Sequence, residues 1–356
     1  MRLGSGVFPK LLLAALLVGL LAADQMFDRA ALEERNERVR VERFLPVDEA
    51  DELLVAAISV TKGDGASFLY GRAEGVWRCV DRYGVLASEA AITRLLDSVR
   101  NASGLARASD GERAAEYGFD TPDTWRVTFH GPGLMKDPDR DVRLEVEVGN
   151  ARPSIDGCFL RRPGQQEIWA VDTNPRALLG DEQGGAPLLE PGLVPVIFPG
   201  EGRRTVSAEI ERRNEPKYAL AMRQVKLSPE EVASGASDIR WVLAMQGVED
   251  REVNPVQAIS YLSFLRMVRW QDVLDPEALG KWGMDSPMAR LMLRSDDGRT
   301  LELLVGPPGP GGLHAVVDDT MKCAYLVSGD VARLLTPDVE EFIFPNNNPW
   351  QGWLQR

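Results

Sequence analysis

The sequence is poor in the side chains that most often build catalytic and metal centres. Its 356 residues include two histidines and three cysteines, and no Cys-x-x-Cys pair occurs. It also lacks the Gly-x-Ser-x-Gly, P-loop and His-Glu-x-x-His patterns of common hydrolases, phosphate-binding loops and zinc proteases. We therefore predict a protein with no cofactor, no metal site and no catalytic constellation.

Positive charge is scarce as well. Lys and Arg total 41 against 54 Asp and Glu, which leaves a net charge of −13. This balance argues against nucleic acid as a partner, because nucleic acid selects a basic face. The three cysteines suit small buried positions in strands. Cys79 and Cys158 could instead form a disulfide if the compartment is oxidising.

Long apolar runs are confined to the N-terminus, where Leu11–Ala23 follows Arg2 and Lys10 and the run, counted from Val7, is about 17 residues long. A run of about 17 residues reaches the lower limit for a membrane-spanning helix. Leu21 would occupy position −3 of a cleavage site, where a small residue is needed. We therefore interpret residues 1–23 as an uncleaved, single-pass signal anchor in the cytoplasmic membrane rather than a removed signal peptide. The positive charges before the run place the body on the extracytoplasmic side.

What the chain does contain is an ordered internal repeat. Tyr117-Gly-Phe-Asp-Thr-Pro122 returns about 165 residues later as Trp282-Gly-Met-Asp-Ser-Pro287. A tryptophan, Trp77 or Trp241, precedes each copy by about 40 residues, and strand-like runs that end in glycine follow both. Matches in one order at one spacing indicate two homologous domains. The motif residues are Tyr117, Gly118, Asp120 and Pro122 in the first copy and Trp282, Gly283, Asp285 and Pro287 in the second.

The repeat divides the chain into segments and predicts an α+β fold. Each domain is expected to be a mainly antiparallel sheet with one long amphipathic helix and short helical turns. In the first domain Ser88 caps this helix, and its inward residues are Ile92, Leu95, Leu96 and Val99. In the second domain the helix starts at Asn254-Pro255, and its inward residues are Ile259, Leu262, Leu265 and Met267. The predicted segments are a charged helical stalk (24–46), the first repeat domain (47–180), a Pro/Gly linker (181–203), the second repeat domain (204–341) and an aromatic tail (342–356).

The repeated hexapeptide has a structural interpretation as a helix-to-strand corner. Its glycine can end a short helix in the left-handed conformation. Its aspartate can accept hydrogen bonds from amides two residues on, and its proline starts the next strand. The aromatic residue is expected to be the buried plug of the corner. The alternative is that Asp120 or Asp285 contacts a ligand.

These features resemble the family called domain of unknown function 4340. Its pattern is a strand with Trp, an amphipathic helix, a Tyr-Gly-Leu-Asp-x-Pro corner and a strand ending in Gly. The resemblance covers about residues 50–180 and 204–340, with Phe119 and Met284 where Leu is usual and Trp282 in place of Tyr. It implies one N-terminal anchor and a role as an accessory protein of ABC-type transporters of the gliding-motility kind. It implies no catalytic residues.

The resulting hypothesis is a non-enzymatic, membrane-anchored extracytoplasmic subunit or scaffold whose partners are other subunits of a membrane complex. One alternative is a module that binds a small ligand or glycan through exposed tryptophans. A second alternative is an envelope hydrolase that uses Asp120 or Asp285 as a base. Trp350 and Trp353, close to the C-terminus, either fold back onto the body or dock a partner, since Trp is enriched at interface hot spots.

Overall fold

The computed structural model describes residues 41–108, 111–132, 141–152, 156–180, 186–195, 198, 202–343 and 348–350. These residues form two sheets with a few helices, and the named strand pairings are antiparallel. The prediction of a mainly antiparallel α+β fold is confirmed in this form. Among the described residues no helix is long and apolar enough to cross a membrane. The predicted anchor, residues 1–23, lies outside them.

The first sheet has the order β1-β6-β10-β9-β8-β7-β2-β3-β4-β5. Its strands are β1 (Glu42–Arg43), β2 (Ala57–Lys62), β3 (Ser67–Ala73), β4 (Val76–Cys79), β5 (Val85–Leu86), β6 (Ser103–Ala108), β7 (Trp125–His130), β8 (Val142–Ala151), β9 (Cys158–Arg161) and β10 (Ile168–Val171).

The second sheet has the order β14-β13-β12-β11-β16-β17-β18-β19-β15. Its strands are β11 (Thr205–Arg212), β12 (Tyr218–Gln224), β13 (Ile239–Met245), β14 (Val248–Glu252), β15 (Asp272–Val273), β16 (Ala289–Ser295), β17 (Thr300–Pro308), β18 (Leu313–Asp318) and β19 (Cys323–Ser328). Read from β15 to β14, the second order matches the first from β6 to β5, strand for strand in chain order. Strand β1 is outside this correspondence. Trp77 in β4 and Trp241 in β13 hold the same position in this order.

Helices connect the strands and cover the sheets. They are α1 (Val47–Glu52), α2 (Glu89–Arg100), α3 (Arg176–Leu179), α4 (Pro229–Ala233), α5 (Pro255–Met267), α6 (Gly329–Leu335) and α7 (Glu340–Ile343). A short 3₁₀ helix precedes each repeated motif, at Gly111–Tyr117 and at Pro276–Trp282. The longest helices, α2 and α5, occupy the same place in the two domains.

Helix α2 begins at the predicted cap. The Ser88 hydroxyl accepts a hydrogen bond from the Ala91 amide at 3.3 Å, which satisfies one of the free donors at the helix start. Ile92, Leu95 and Val99 are buried beneath it, whereas Leu96 is half-buried. The charged and polar residues of α2 lie on its opposite face.

Helix α5 does not have the predicted inward face. Ile259 and Met267 are more than half exposed, and the buried residues include Ala258, Tyr261, Phe264 and Leu265. Apolar residues surround this helix, so its periodicity permits more than one inward face. The aromatic ring of Tyr261 selects the observed one, because it packs against Phe342 and Trp350. The prediction of a second amphipathic helix with Ile259, Leu262, Leu265 and Met267 inward is wrong for Ile259 and Met267.

The predicted linker packs into the structure. Residues 186–190 complete the first domain: the Ser88 amide donates to the Leu188 carbonyl at 2.8 Å, and the Tyr70 hydroxyl donates to the Pro187 carbonyl. Residues 191–195 belong to the second domain, where the Leu193 amide donates to the Val268 carbonyl at 3.2 Å. The linker prediction rests on the many prolines and glycines of this segment and on its few apolar anchors. The buried residues of this segment are Ala186, Leu188, Leu189, Leu193 and Val194.

The first domain also begins earlier than residue 47. Strand β1 pairs with β6, and Phe44 and Leu45 are buried, so the last residues of the predicted stalk belong to the domain. Residues 24–40 of that stalk lie outside the described residues. Phe44-Leu45-Pro46 beside the end of α2 corresponds to Leu193-Val194-Pro195 beside the end of α5. Each domain therefore starts with two buried apolar residues and a proline.

The possible disulfide between Cys79 and Cys158 is absent. The two cysteines are buried and free, in β4 and β9, which are five strand spacings apart in the sheet. At about 4.8 Å per spacing the separation is roughly 24 Å. A disulfide needs Cα atoms within about 7 Å. Burial raises the pKa of Cys79 to about 11 and that of Cys158 to about 12, so both remain thiols at neutral pH.

Candidate functional site

The repeated motif forms a helix-to-strand corner in both domains. Gly118 and Gly283 end the two 3₁₀ helices with left-handed φ angles of 81° and 69°. In each corner the glycine amide bonds a carbonyl three residues back and the next amide bonds one five residues back. These hydrogen bonds are Gly118 to Ala115 (3.1 Å), Phe119 to Ala114 (3.0 Å), Gly283 to Gly280 (3.2 Å) and Met284 to Leu279 (3.2 Å). The predicted role of the motif glycine is confirmed.

A second glycine, in the strand after each corner, lets the corner approach the sheet. A Cβ atom at Gly149 would lie 2.3 Å from the Tyr117 carbonyl oxygen. At Gly306 it would lie 2.7 Å from the Met284 sulfur and 3.0 Å from the Trp282 carbonyl oxygen. The Val-Gly end of each strand is thus required by the close packing of the corner against it.

The buried plug of the first corner is Phe119 and not the motif aromatic. Phe119 is fully buried, whereas Tyr117 is half-buried and packs edge-on against Phe159 with ring centroids 4.7 Å apart. In the second corner both Trp282 and Met284 are half-buried. The motif aromatic is therefore the buried plug of neither corner.

The motif aspartates do not cap backbone amides as predicted. Asp120 accepts two hydrogen bonds from the Arg161 guanidinium, at 2.7 and 3.2 Å. The local capping role belongs to Thr124, whose hydroxyl accepts from the Thr121 amide at 3.1 Å and donates to the Gly118 carbonyl at 2.9 Å. Within the part of the chain that the structure describes, the exposed Asp285 carboxylate has no hydrogen-bond or ion-pair partner.

Behind Asp120 lies a chain of ion pairs across the outer face of the first sheet. The Arg161 Nε donates to Glu147 at 2.6 Å, and Arg126 donates to the other Glu147 oxygen at 2.9 Å. The Arg161 guanidinium also lies 4.7 Å from the Phe119 ring centre. Hydrogen bonding to Arg161 lowers the pKa of Asp120, and the same bond raises the pKa of Arg161.

These charged residues border an open pocket of about 370 Å³ between the corner and the β2–β3 turn. Pro122 lines the pocket, as do Thr61, Lys62, Gly63, Asp120, Thr121, Thr124, Arg126 and Glu147. Sequence reasoning missed Arg126, Glu147 and Arg161. A signal for them exists in the run from Leu144 to Val148, where glutamates alternate with core residues and therefore need cations on neighbouring strands.

The second corner lacks this ion-pair chain. Strand register pairs Glu147 with Arg161 in the first domain and Leu304 with Val317 at the matching place in the second. Pro287 leads into β16 as Pro122 leads into β7. One pair is kept: Arg126–Glu145 at 3.4 Å corresponds to Arg290–Glu302 at 2.7 Å. The motif aspartate thus has a cation only in the first corner.

The two domains meet through Arg78 of β4. Its guanidinium donates to the Gly84 carbonyl at 2.8 Å and, across the joint, to the Met321 carbonyl at 3.1 Å. Asp318 lies beside it and accepts from the Met321 amide at 2.8 Å. Burial raises the pKa of Asp318 to about 6, against the lowering effects of the Met321 amide and Arg78. Hydrogen bonds of Arg78 thus join the two sheets at this interface.

The C-terminal tryptophans were predicted either to fold back or to dock a partner. Trp350 is fully buried: its ring stacks on Phe342 with centroids 5.0 Å apart, and its Nε1 donates to the Leu334 carbonyl at 3.4 Å. As placed, Trp350 offers no surface to a partner. Trp353 lies outside the described residues.

The remaining tryptophans bear on the glycan-binding alternative, which needs exposed rings. In the described ranges Trp77, Trp125 and Trp270 are buried, and Trp169, Trp241 and Trp282 are half-buried. The same ranges contain no group of three or more His, Cys, Asp and Glu side chains arranged to hold a metal ion.

The described structure defines a two-sheet, mainly antiparallel α+β protein with a corner motif in each half. Residues 77–182 match the family described as domain of unknown function (DUF4340). This range runs from Trp77 in β4 to just beyond α3 and includes the first corner. No curated protein and no solved structure matches the chain.

Proposed function

We propose that the chain is a non-enzymatic, membrane-anchored extracytoplasmic protein, an accessory subunit or scaffold of a membrane complex associated with an ABC-type transporter. Residues 1–23 would be its single anchor. The observation that carries the non-enzymatic part is the bidentate ion pair of Asp120 with Arg161. The same proposal takes residues 42–190 and 191–343 as two copies of the DUF4340 domain, supported by their equal strand orders.

The ion pair disfavours the hydrolase alternative. A general base works best with a pKa near the working pH, and enzymes raise carboxylate pKa values to reach it. Arg161 instead lowers the pKa of Asp120. Asp285 is exposed, and the strand positions behind it carry Leu304 and Val317 rather than partner charges. Neither motif aspartate has the surroundings of a base.

The shape of the body favours a scaffold. The joint at Arg78 and the packed segment 186–195 fix the two sheets against each other. The far edge of the second sheet is β14, whose five residues are all exposed and whose neighbour in the sheet is β13. An open sheet edge can accept a strand from another protein.

The proposal is tested by affinity purification of the full chain from its own membranes after mild cross-linking. We expect subunits of a transporter to co-purify with the wild type and equally with the double variant Asp120→Asn/Asp285→Asn. The wild type and the double variant should support the same cellular phenotype. Loss of the phenotype in the double variant with an unchanged set of partners would contradict the non-enzymatic role.

A further inference from the structure

Helices α2 and α5 hold the same place in the two domains but present different outer faces. With the caps Ser88 and Asn254 aligned, five positions of the two helices can be compared directly. On α2 these positions carry Ala90, Thr93, Asp97, Arg100 and Asn101, whereas on α5 they carry Val256, Ile259, Ser263, Arg266 and Met267. The exposed fractions of Val256, Ile259 and Met267 are 62%, 56% and 57%.

An apolar outer stripe on a surface helix normally contacts another element. The first domain serves as an internal control, because the equivalent exposed positions of α2 carry the smaller or more polar residues Ala90, Thr93 and Asn101. The fold therefore does not require Val256, Ile259 and Met267 at these positions. We call these three residues the α5 stripe.

A groove of about 230 Å³ runs beside the α5 stripe, between the helix and the strands. Its floor is apolar, with Met222, half-buried Trp241 and Leu262. Arg204 and Arg266 form its rim. The groove thus combines a recess for apolar side chains with two guanidinium groups.

The charges on this rim are uncompensated. Arg204 and Arg266 are exposed, and neither has an ion-pair or hydrogen-bond partner for its side chain among the residues that the structure describes. No carboxylate lines the groove. Guanidinium groups beside an apolar recess match carboxylates beside apolar side chains.

We propose that the α5 stripe and its groove dock an acidic amphipathic segment of a partner protein. Apolar side chains of the segment would cover Val256, Ile259 and the groove floor, and its carboxylates would pair with Arg204 and Arg266. The inference rests on the proposed function only for the identity of the partner as another subunit of the complex.

A membrane surface suits the same residues less well. Helices that lie on membranes carry several Lys or Arg residues along their polar face and present a convex apolar face. Outward on α5 there is one basic residue, Arg266, and the apolar surface beside it is a recess. A protein segment can fill a recess, whereas lipid headgroups and chains meet a convex surface.

The test uses Ser263→Cys in the full chain, labelled with a photoactivatable thiol reagent in native membranes. The three native cysteines are buried, so the introduced thiol is the accessible one. The matched control is Asp97→Cys, at the equivalent position of α2. We expect an adduct with another polypeptide at about ten times the control yield, and its attached peptide should carry carboxylates next to apolar residues.

Charge variants then test the recognition itself. Arg266→Glu in the Ser263→Cys background should lower the adduct yield by about fivefold or more, and Arg266→Lys should preserve most of it. An adduct that is indifferent to Arg266→Glu would overturn the proposal. So would equal yields at positions 263 and 97, no adduct, or attachment to lipid, to residues 351–356 of the same chain or to a second copy.

These outcomes remain separable from those of the proposed function. If the docking surface is wrong, transporter subunits still co-purify with the wild type and with Ile259→Asp. If the proposed function is wrong while the docking surface is right, the adduct forms with a protein that is no transporter subunit. In the expected case Ile259→Asp removes the adduct and reduces co-purification together.

Discussion

The two corners have the same backbone and different side chains behind it. In both, a left-handed glycine ends a 3₁₀ helix and a strand glycine lets the corner approach the sheet. In the first corner Arg161 and Glu147 then connect Asp120 to the sheet through ion pairs, whereas the second has Val317 and Leu304 at those places. The comparison shows that the glycines build the corner and that the charges are an addition specific to the first domain.

The largest expected effect comes from breaking the ion-pair chain. Arg161→Val leaves Glu147, whose side chain is 8% exposed, with Arg126 alone. Removing one partner of a buried pair typically costs about 3–5 kcal/mol. The double variant Glu147→Leu/Arg161→Val copies the second corner and should cost about 1 kcal/mol or less, because no buried charge is stranded. Urea unfolding of the single and double variants measures both; a double variant as unstable as the single would refute the comparison.

The strand glycines should differ in their tolerance of a methyl group. At Gly149 the nearest atom is a backbone oxygen, so Gly149→Ala should cost about 1–3 kcal/mol of unfolding free energy. At Gly306 the nearest atom is the flexible Met284 side chain, so Gly306→Ala should cost less. Chemical denaturation of both variants checks this order. In a Met284→Ala background the cost of Gly306→Ala should fall further, while that of Gly149→Ala stays unchanged.

The hairpin of β17 and β18 in the second domain adds a pH dependence that the hairpin of β8 and β9 in the first domain lacks. Arg161-Arg162 at the end of β9 corresponds to Val317-Asp318 at the end of β18. Since the folded pKa of Asp318 is raised to about 6, the folded state binds its proton more tightly than the unfolded state does. Stability should therefore be highest below the unfolded pKa and fall as pH rises through about 6, by roughly 1–3 kcal/mol.

The groups that face Asp318 are Arg78, Asp319 and the amides of Thr320 and Met321. Asp318→Asn keeps an oxygen for the Met321 amide but cannot ionise. We expect this variant to lose the decline in unfolding free energy between about pH 4 and pH 6. Denaturant titrations at several pH values measure it, and an unchanged decline would assign the effect to another group.

The smallest effect concerns the motif aspartates themselves. Because neither caps the corner and only Asp120 has an arginine partner among the described residues, we expect the two substitutions to have small and unequal costs. Asp120→Ala removes the exposed carboxylate from its pair with the mostly buried Arg161, which keeps Glu147 as a partner, and should cost about 0.2–1 kcal/mol. Asp285→Ala should be neutral within about 0.5 kcal/mol. Thermal unfolding of the two variants measures both losses of stability. A larger loss for Asp285→Ala than for Asp120→Ala would contradict this prediction.

Local features of this fold are well predicted from sequence. The Ser88 cap, the α2 spacing and the two motif glycines each depend on residues a few positions apart, so their geometry follows from the backbone alone. The pairing of Asp120 with Arg161 joins residues 41 positions apart. It depends on the strand order and on the register of β8 with β9, which no local pattern specifies.

Tertiary burial explains two other differences between the sequence predictions and the structure. Apolar residues all round α5 leave its inward face open until Tyr261 finds Phe342 and Trp350 in the tertiary structure. The prolines and glycines of residues 186–195 resemble a linker, yet Leu188 and Leu193 are buried on opposite sides of the joint. In both cases the apolar residues are visible in the sequence, but which of them become buried, and against what, depends on their neighbours in the folded structure.

The packed segment 186–195 also determines how cooperatively the protein unfolds. One continuous cluster of buried apolar residues runs from the first domain through Leu188 and Leu193 into the second. Separating the domains would expose that cluster and break the backbone hydrogen bonds on both sides of the segment. Heat should therefore melt both halves in a single cooperative transition, with a calorimetric enthalpy equal to the van't Hoff enthalpy, although the chain contains two sheets.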